Sequence, residues 1–141
     1  MDTPFLFIYY NIIPFLCIDD FISLLKVDNN HFELRKLNMD NINVCDRFTL
    51  VIKNDNDIKK IMEYKEIYYY FTKIKIEHNN MTDEQLIDIF GILNKLHTLD
   101  ISGCRQFNDK IFDKLNNLYT LDVSGCRQFT NKIFDGINVR R

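Results

Sequence analysis

The sequence has 141 residues, of which 46% are hydrophobic and 27% are charged, and its formal net charge is −2. This balance is typical of a globular protein and excludes a largely disordered chain. Basic and acidic residues are interspersed, so the positive surface of a nucleic-acid-binding domain is not expected. The length suits one domain, or a small module joined to a repeat array.

The most hydrophobic segment runs from Phe5 to Ile18. At about 14 residues it is shorter than the roughly 20 that a membrane-spanning helix needs. Asp2 lies where a signal peptide carries positive charge, and Asp19 and Asp20 follow where small residues mark a cleavage site. We therefore expect an intracellular, cytoplasmic location without membrane association, and reduced thiols rather than disulfides.

Two short helices are predicted within residues 1–45, because a dense apolar stretch is interrupted by two aspartates and then continues at helical spacing. Pro4 near the start, then Ile12, Phe15 and Leu16, then Asp20 and Phe21, and finally Val27 follow a pattern that resembles an F-box, the helical module that docks onto the Skp-type adaptor of cullin-RING ubiquitin ligases. The alternative is a helical cap that closes one end of a repeat array. The resemblance implies an adaptor-binding role for Pro4, Ile12, Phe15, Leu16, Asp20, Phe21 and Val27.

Residues 46–70 are predicted to be either a connector or a further, diverged repeat. A strand is expected within Arg47–Lys53, and a helix within Asp57–Phe71, where apolar residues recur at helical spacing. The polar residues between them indicate a turn rather than a flexible linker. We therefore expect the connector and the segment that follows it to form one continuous body.

An internal repeat occupies the C-terminal part of the chain, residues 71–141. Segments 96–117 and 118–139 are identical at most of their positions, including the unbroken stretch SGCRQF. A more diverged copy, 71–95, has Asn79 where the other two have cysteine. The spacing L-x-x-L-x-L-x-x-C-x-x-F resembles the consensus of leucine-rich repeats in their cysteine-containing form.

Each copy is predicted to consist of a strand, a turn and a helix. Alternating apolar residues such as Leu99 and Ile101 indicate a strand with one buried face. Gly103 and Gly125 allow the chain to turn, and the Cys or Asn that follows is expected to point inward and meet the backbone of the neighbouring copy. Thr82–Gln85 reads as a capping box that begins the helix of the first copy.

One copy cannot bury its apolar face alone, so the copies are expected to stack into a short α/β solenoid, with parallel strands on the concave face and helices on the convex face. Cys104 and Cys126 should then stack as buried, reduced thiols, because two thiols alone do not make a zinc site. Leu118, Leu121 and Val123 are expected to be covered on one side only, since the sequence ends shortly after the last copy.

The solvent-facing side chains of the predicted strands are the candidate partner-binding residues, and as a set they are polar, without an aromatic anchor. Arg105 and Arg127 are interpreted as solvated turn residues, with contact to an acidic partner or a phosphate as the alternative. No catalytic or metal-binding motif is present, so no enzyme and no cofactor is expected. Alternation gives the candidate set as Lys73, Lys75, Glu77, Thr98, Asp100, Ser102, Thr120, Asp122 and Ser124.

An F-box followed by leucine-rich repeats is the order found in proteins that select substrates for cullin-RING ligases. Large DNA viruses with AT-rich genomes encode many of them, and the usage here, rich in Asn, Ile, Lys and Tyr, is of that kind. The sequence therefore predicts a protein–protein interaction module that acts as a substrate-recognition adaptor, with a Skp-type adaptor and a substrate protein as partners. A plain leucine-rich-repeat binding scaffold with no ligase link is the alternative.

Overall fold

A computed structural model of the chain describes Asp19, Ser23 and residues 48–69, 71–129, 134 and 136–141. Almost all of these residues belong to one unit, Thr49–Arg141. The residues assigned to adaptor binding by resemblance lie outside the described residues, so the F-box-like segment stays a prediction. These residues are Pro4, Ile12, Phe15, Leu16, Asp20, Phe21 and Val27.

The strands of the described unit form a parallel sheet. They are β1 (Leu50–Ile52), β2 (Lys73–Ile76), β3 (Thr98–Asp100), β4 (Thr120–Asp122) and β5 (Asn138–Arg140). The connecting helices are α1 (Asp55–Glu63), α2 (Lys65–Tyr68), α3 (Asp83–Ile92) and a 3-10 helix, Asp109–Lys114. These strands pair in parallel and in chain order. The predicted α/β class with parallel strands is therefore confirmed.

The strand register follows the internal repeat. Lys75 pairs with Asp100, and Asp100 pairs with Asp122, as the repeat alignment predicts. The step along the chain is slightly longer from Lys75 to Asp100 than from Asp100 to Asp122, because the first copy is the longer one. The strand expected within Arg47–Lys53 is β1, which pairs with β2 through Leu50 and Ile74.

The core lies between the sheet and the helices. Alternate residues of the strands point into it, and burying a side chain of this size contributes about 1.5–3 kcal/mol. The helical positions predicted from spacing complete the core, with Leu86, Ile89, Phe90 and Leu93 all buried. The strand residues that are almost fully buried, together with the residue that follows β3, are Ile52, Ile74, Ile76, Leu99, Ile101 and Leu121.

Local capping signals determine where the helices begin. In the predicted capping box, Thr82 Oγ1 accepts a hydrogen bond from the Gln85 N–H at 3.2 Å, and Gln85 Oε1 accepts from the Thr82 N–H at 3.0 Å. Asn108 caps the next segment by accepting from the Lys110 N–H at 2.9 Å. That segment is a 3-10 helix rather than an α-helix. Its copy of the repeat is shorter than the first copy. A 3-10 helix rises about 2.0 Å per residue, against about 1.5 Å for an α-helix, so fewer residues span the same distance.

The helix expected within Asp57–Phe71 begins at Asp55 and is interrupted after Glu63. Asn54 caps it, because its side chain accepts from the N–H groups of Asn56 and Asp57. The helix therefore begins before the predicted start, in a stretch where apolar spacing gives no signal. None of the helices that the structure describes is long and apolar enough to cross a membrane.

The expected inward-pointing Asn of the first copy is a wrong prediction. Asn79 is exposed in a turn, and Met81, two residues later, is buried. An amide loses its hydrogen bonds to water when it is buried, so it needs protein partners there. A thioether has no such requirement and fills irregular gaps in a core.

The expectation that Leu118, Leu121 and Val123 are covered on one side only is also wrong. β5 pairs with β4, with Val139 opposite Leu121, and all three residues are buried. The step along the chain from Leu121 to Val139 is shorter than the step from Leu99 to Leu121, so the repeat template does not contain this strand. A shorter connection therefore supplies a strand that the repeat alignment missed.

Candidate binding surface on the parallel sheet

One face of the sheet, here called the sheet face, is polar and open to solvent. All nine side chains predicted by alternation lie on it or directly after its strands, and all are exposed or half-buried. Parallel pairing places equivalent residues side by side in rows that cross the strands. These rows are Lys73, Thr98 and Thr120; Lys75, Asp100 and Asp122; and, after the strands, Glu77, Ser102 and Ser124.

β5 extends two of these rows with residues that the sequence did not suggest. Asn138 pairs with Thr120, and Arg140 pairs with Asp122. The alternation of Asn138, Val139 and Arg140 was the available signal, but a strand this short does not stand out without the repeat spacing. At the edge formed by β5, the sheet face therefore ends in the basic residue Arg140.

In the middle row of the sheet face, strands β2 to β5 contribute charged residues, whereas β1 contributes Val51, which pairs with Lys75. This charged row consists of Lys75, Asp100, Asp122 and Arg140. Lys75 Nζ lies 3.2 Å from Glu77 Oε1, and Arg140 Nε lies 3.7 Å from Asp122 Oδ2. Exposed ion pairs of this kind contribute only about 0–1 kcal/mol to stability. A charged group of a bound protein can therefore replace one member of such a pair at little cost in free energy. The row has bases at both ends and acids in the centre.

Hydrogen bonds hold the two central carboxylates in place. Asp100 Oδ1 accepts from the Ser102 N–H, and Asp122 Oδ1 accepts from the Ser124 N–H, each at 2.9 Å. Burial by itself raises the pKa of Asp122, but the hydrogen bonds from Ser124 and the charges of Arg140 and Lys75 outweigh it, so that this pKa is lowered. At neutral pH Asp122 therefore carries a negative charge in a fixed position.

The base at the other end of the row is also charged. The hydrogen bond and the charge of Glu77 raise the pKa of Lys75, and the carboxylates of Asp100 and Asp122 raise it further. Lys75 therefore remains protonated throughout the neutral range. Both Lys75 and Asp122 thus keep their charges across physiological pH.

One exposed aromatic side chain lies close to the strands of the sheet. Tyr119, directly before β4, is 69% exposed, and its ring centroid is 6.0 Å from that of His97 in the preceding copy. The His97 Nδ1 lies 2.9 Å from Thr98 Oγ1, a contact that fixes the imidazole beside the face. The sequence predicts a surface without an aromatic anchor. This holds for the nine predicted residues, and Tyr119 is an exposed aromatic side chain beside them in the chain, of the kind that often anchors protein interfaces.

The two repeat cysteines stack at the turns that follow β3 and β4. Cys104 Sγ donates to the Ile76 carbonyl at 3.5 Å, while Cys126 Sγ donates to the carbonyls of Ile101 and Cys104 at 3.0 and 3.1 Å. Both thiols are free, as predicted. Burial, with a smaller contribution from Cys126, raises the pKa of Cys104 to about 11, and burial also raises the pKa of Cys126. Neutral thiols of this kind are structural rather than nucleophilic.

The turns after β3 and β4 each present an arginine. Arg105 and Arg127 are both exposed, as expected of turn residues. Gly103 and Gly125 precede them with φ angles of 76° and 78°, in the left-handed region that favours glycine. The predicted need for glycine at these two turns is therefore confirmed.

Within the described part of the chain, no group of three or more His, Cys, Asp or Glu side chains is arranged to hold a metal ion. No protein-family model matches the chain, and neither a curated protein nor a solved structure matches it.

Proposed function

We propose that the chain from residue 71 onward is a short leucine-rich-repeat solenoid whose concave sheet face binds another protein. The observation that carries this proposal is the charged row, flanked by the exposed Tyr119. Parallel strands in chain order, with a cysteine bonded to the backbone of the preceding copy at two successive turns, support the repeat assignment.

The chemistry of the sheet face favours a protein over a nucleic acid as the partner. Asp100 and Asp122 lie at its centre and repel a phosphate backbone, whereas nucleic-acid binding relies on continuous basic surface. A protein segment with a basic residue between acidic ones matches the row of Lys75, Asp100, Asp122 and Arg140. Tyr119 adds apolar contact area at the edge of that row.

The test places a photocrosslinking residue at Thr120, which is exposed on the sheet face. The control places the same group at Glu84, which is exposed on α3 on the other side of the core. A partner of the sheet face crosslinks from position 120 and not from position 84. The crosslink from position 120 should weaken when Tyr119→Ala is added, because the aromatic contact is then lost. Equal crosslinking from both positions would contradict the proposal.

A second proposal is that the whole chain is a substrate-recognition adaptor of a cullin-RING ubiquitin ligase. The F-box-like pattern in residues 4–32, upstream of the repeats, favours it. In this role the F-box-like segment binds a Skp-type adaptor while the sheet face binds a substrate. The protein would then work inside a cell, in the host cytoplasm if it is viral, where Cys104 and Cys126 stay reduced.

The adaptor role is tested by co-purification with a purified Skp-type adaptor. Phe15→Asp or Leu16→Asp should weaken binding roughly thirtyfold, since loss of a buried apolar contact costs about 2 kcal/mol. Thr120→Arg is the control, because it alters only the sheet face and should leave adaptor binding unchanged. Absence of binding by the unmodified chain would leave the plain leucine-rich-repeat scaffold as the function.

A further inference from the structure

A cavity of about 370 Å³ lies beside the turn that follows β4 and is here called the turn cavity. Val123, Phe129 and Phe134 form apolar walls, and Gly125 contributes backbone. Arg127 and Arg141 also line it. The cavity is therefore lined by both apolar and polar groups and includes two cations.

The preceding turn shows which kind of group can accept a hydrogen bond from the glycine N–H at this position. There, the Gly103 N–H donates to the Ser124 carbonyl of the following turn at 2.7 Å. Gly125 is the equivalent residue and has nearly the same φ angle, but its N–H has no such acceptor among the described residues. An oxygen of a bound molecule in the turn cavity can take the place that the Ser124 carbonyl oxygen has one repeat earlier.

The charges at the turn cavity specify an anionic oxygen. The Arg141 guanidinium carbon lies 4.9 Å from the centroid of the Phe134 ring, which holds this cation at the wall. Arg127 is a second cation at the cavity, and its described lining includes no aspartate or glutamate. Cys126 adds no negative charge, because burial raises the pKa of its thiol and keeps it neutral. Guanidinium groups match carboxylates in shape as well as in charge.

We propose that the turn cavity binds a glutamate side chain of an extended acidic peptide. The carboxylate accepts from the Gly125 N–H and from Arg127 and Arg141, while its methylene groups contact Phe129 and Phe134. An acidic peptide is favoured over a free inorganic anion because the apolar walls would remain in contact with water around a small ion. This site is separate from the sheet face and does not depend on the function proposed for that face.

The test is a titration followed by the backbone amide signals of the two glycines in 15N–1H correlation spectra. The probe is a short peptide with capped ends and a single glutamate, and its control is the same peptide with glutamine. We expect the Gly125 amide to shift on addition of the glutamate peptide, while the Gly103 amide, already bonded to Ser124, does not. The glutamine peptide should bind at least about tenfold more weakly.

The repeated turn provides a matched control variant. Arg127→Gln should weaken the glutamate peptide about tenfold, and Arg105→Gln, at the equivalent position one repeat earlier, should change its affinity less than about twofold. The Gly103 amide signal reports whether each variant retains the fold. The proposal is overturned if the Gly125 amide does not shift, if both arginine variants lose equal affinity, or if the glutamine peptide binds equally well. It is also overturned if inorganic phosphate alone binds as tightly as the peptide.

Discussion

The turns at residues 102–107 and 124–129 have the same sequence, SGCRQF, but they differ in their surroundings. Cys104 is only 2% exposed, whereas Cys126 is half-buried. The Gly103 N–H donates to a carbonyl of the following turn, and Gly125 lines the turn cavity. Identical residues thus acquire different burial and different hydrogen bonds.

Contacts to the preceding turn are kept in both copies. Gln106 Nε2 donates to the His78 carbonyl at 3.1 Å, and Gln128 Nε2 donates to the Cys104 carbonyl at 2.7 Å. Each cysteine likewise bonds to the backbone of the copy before it. The two turns therefore differ chiefly in what lies after them. In a stacked array the burial of a turn depends on the next layer as much as on its own residues.

The largest expected difference between the turns concerns their phenylalanines. Phe107→Ala should lower the free energy of unfolding by about 4 kcal/mol, and Phe129→Ala by about 3 kcal/mol or less. Phe107 is enclosed, at 2% exposure, whereas Phe129 is 8% exposed and lines the turn cavity. The space left at position 129 is therefore more accessible to water. Urea denaturation of both variants measures the difference, and a larger loss at position 129 would contradict the comparison.

The two cysteines should differ in their contribution to the free energy of unfolding, but by less than the two phenylalanines do. Cys104→Ser should cost about 2 kcal/mol, because it buries a hydroxyl beside the Ile76 carbonyl, which lies 3.5 Å from the present sulfur. Cys126→Ser should cost less than about 1 kcal/mol, since this half-buried position offers acceptors at 3.0 and 3.1 Å. Thermal or urea unfolding tests both variants, with Cys→Ala at each position as the control for loss of the sulfur. Equal losses from the two serine variants would contradict the comparison.

The aspartates that hold the turns should differ in their pH dependence. At pH 7, Asp122→Asn should lower the free energy of unfolding by about 1 kcal/mol, through loss of the charged acceptor of the Ser124 N–H and of the Arg140 ion pair. The pKa of Asp122 is lowered in the folded state, so its contribution is present above the pKa of the unfolded chain and is lost as pH falls through the lower folded value.

The difference between the unmodified chain and Asp122→Asn should therefore shrink as pH falls below about 4. Asp100→Asn is the matched control and should cost less at pH 7, because Asp100 forms no ion pair with the described residues. Urea midpoints at a series of pH values provide the measurement. A loss from Asp122→Asn that is the same at pH 7 and at pH 3 would mean that its charge does not contribute.

The most local difference should appear in amide hydrogen exchange. The Gly103 amide should exchange at least about tenfold more slowly than the Gly125 amide, because only Gly103 donates to a following turn. Both glycines lie between a serine and a cysteine, so their intrinsic exchange rates are the same. Equal rates in a dilute sample would show that the Gly125 N–H has an acceptor in solution.

Much of the sheet could be predicted because its signals are local or repeated. The alternation at Leu99 and Ile101 gives the buried face of β3, and alignment of the two copies gives its pairing with β4. The Thr82 capping box acts within one turn of helix, so a few residues are enough to predict it. Because alternation is equally local, the nine candidate residues of the sheet face could be placed on one surface.

The features that were missed depend on neighbours distant in sequence. Asn79 aligns with Cys104, but the burial of an amide depends on partners that alignment does not reveal. Tyr119 aligns with His97, and its exposure is set by the packing of the adjacent copies. β5 has no repeat spacing, so only its pairing with β4 identifies it as a strand.

The periodicity of this protein can be derived from its sequence alone: the alternation of the strands, the turns that require glycine and the residues that recur from copy to copy. These properties follow from backbone geometry over a few residues, which the side chains encode directly. Which copy of SGCRQF is enclosed and which borders the turn cavity depends on tertiary packing. Two identical stretches of sequence have identical local preferences, so the difference between Gly103 and Gly125 arises from the layer that packs against each of them.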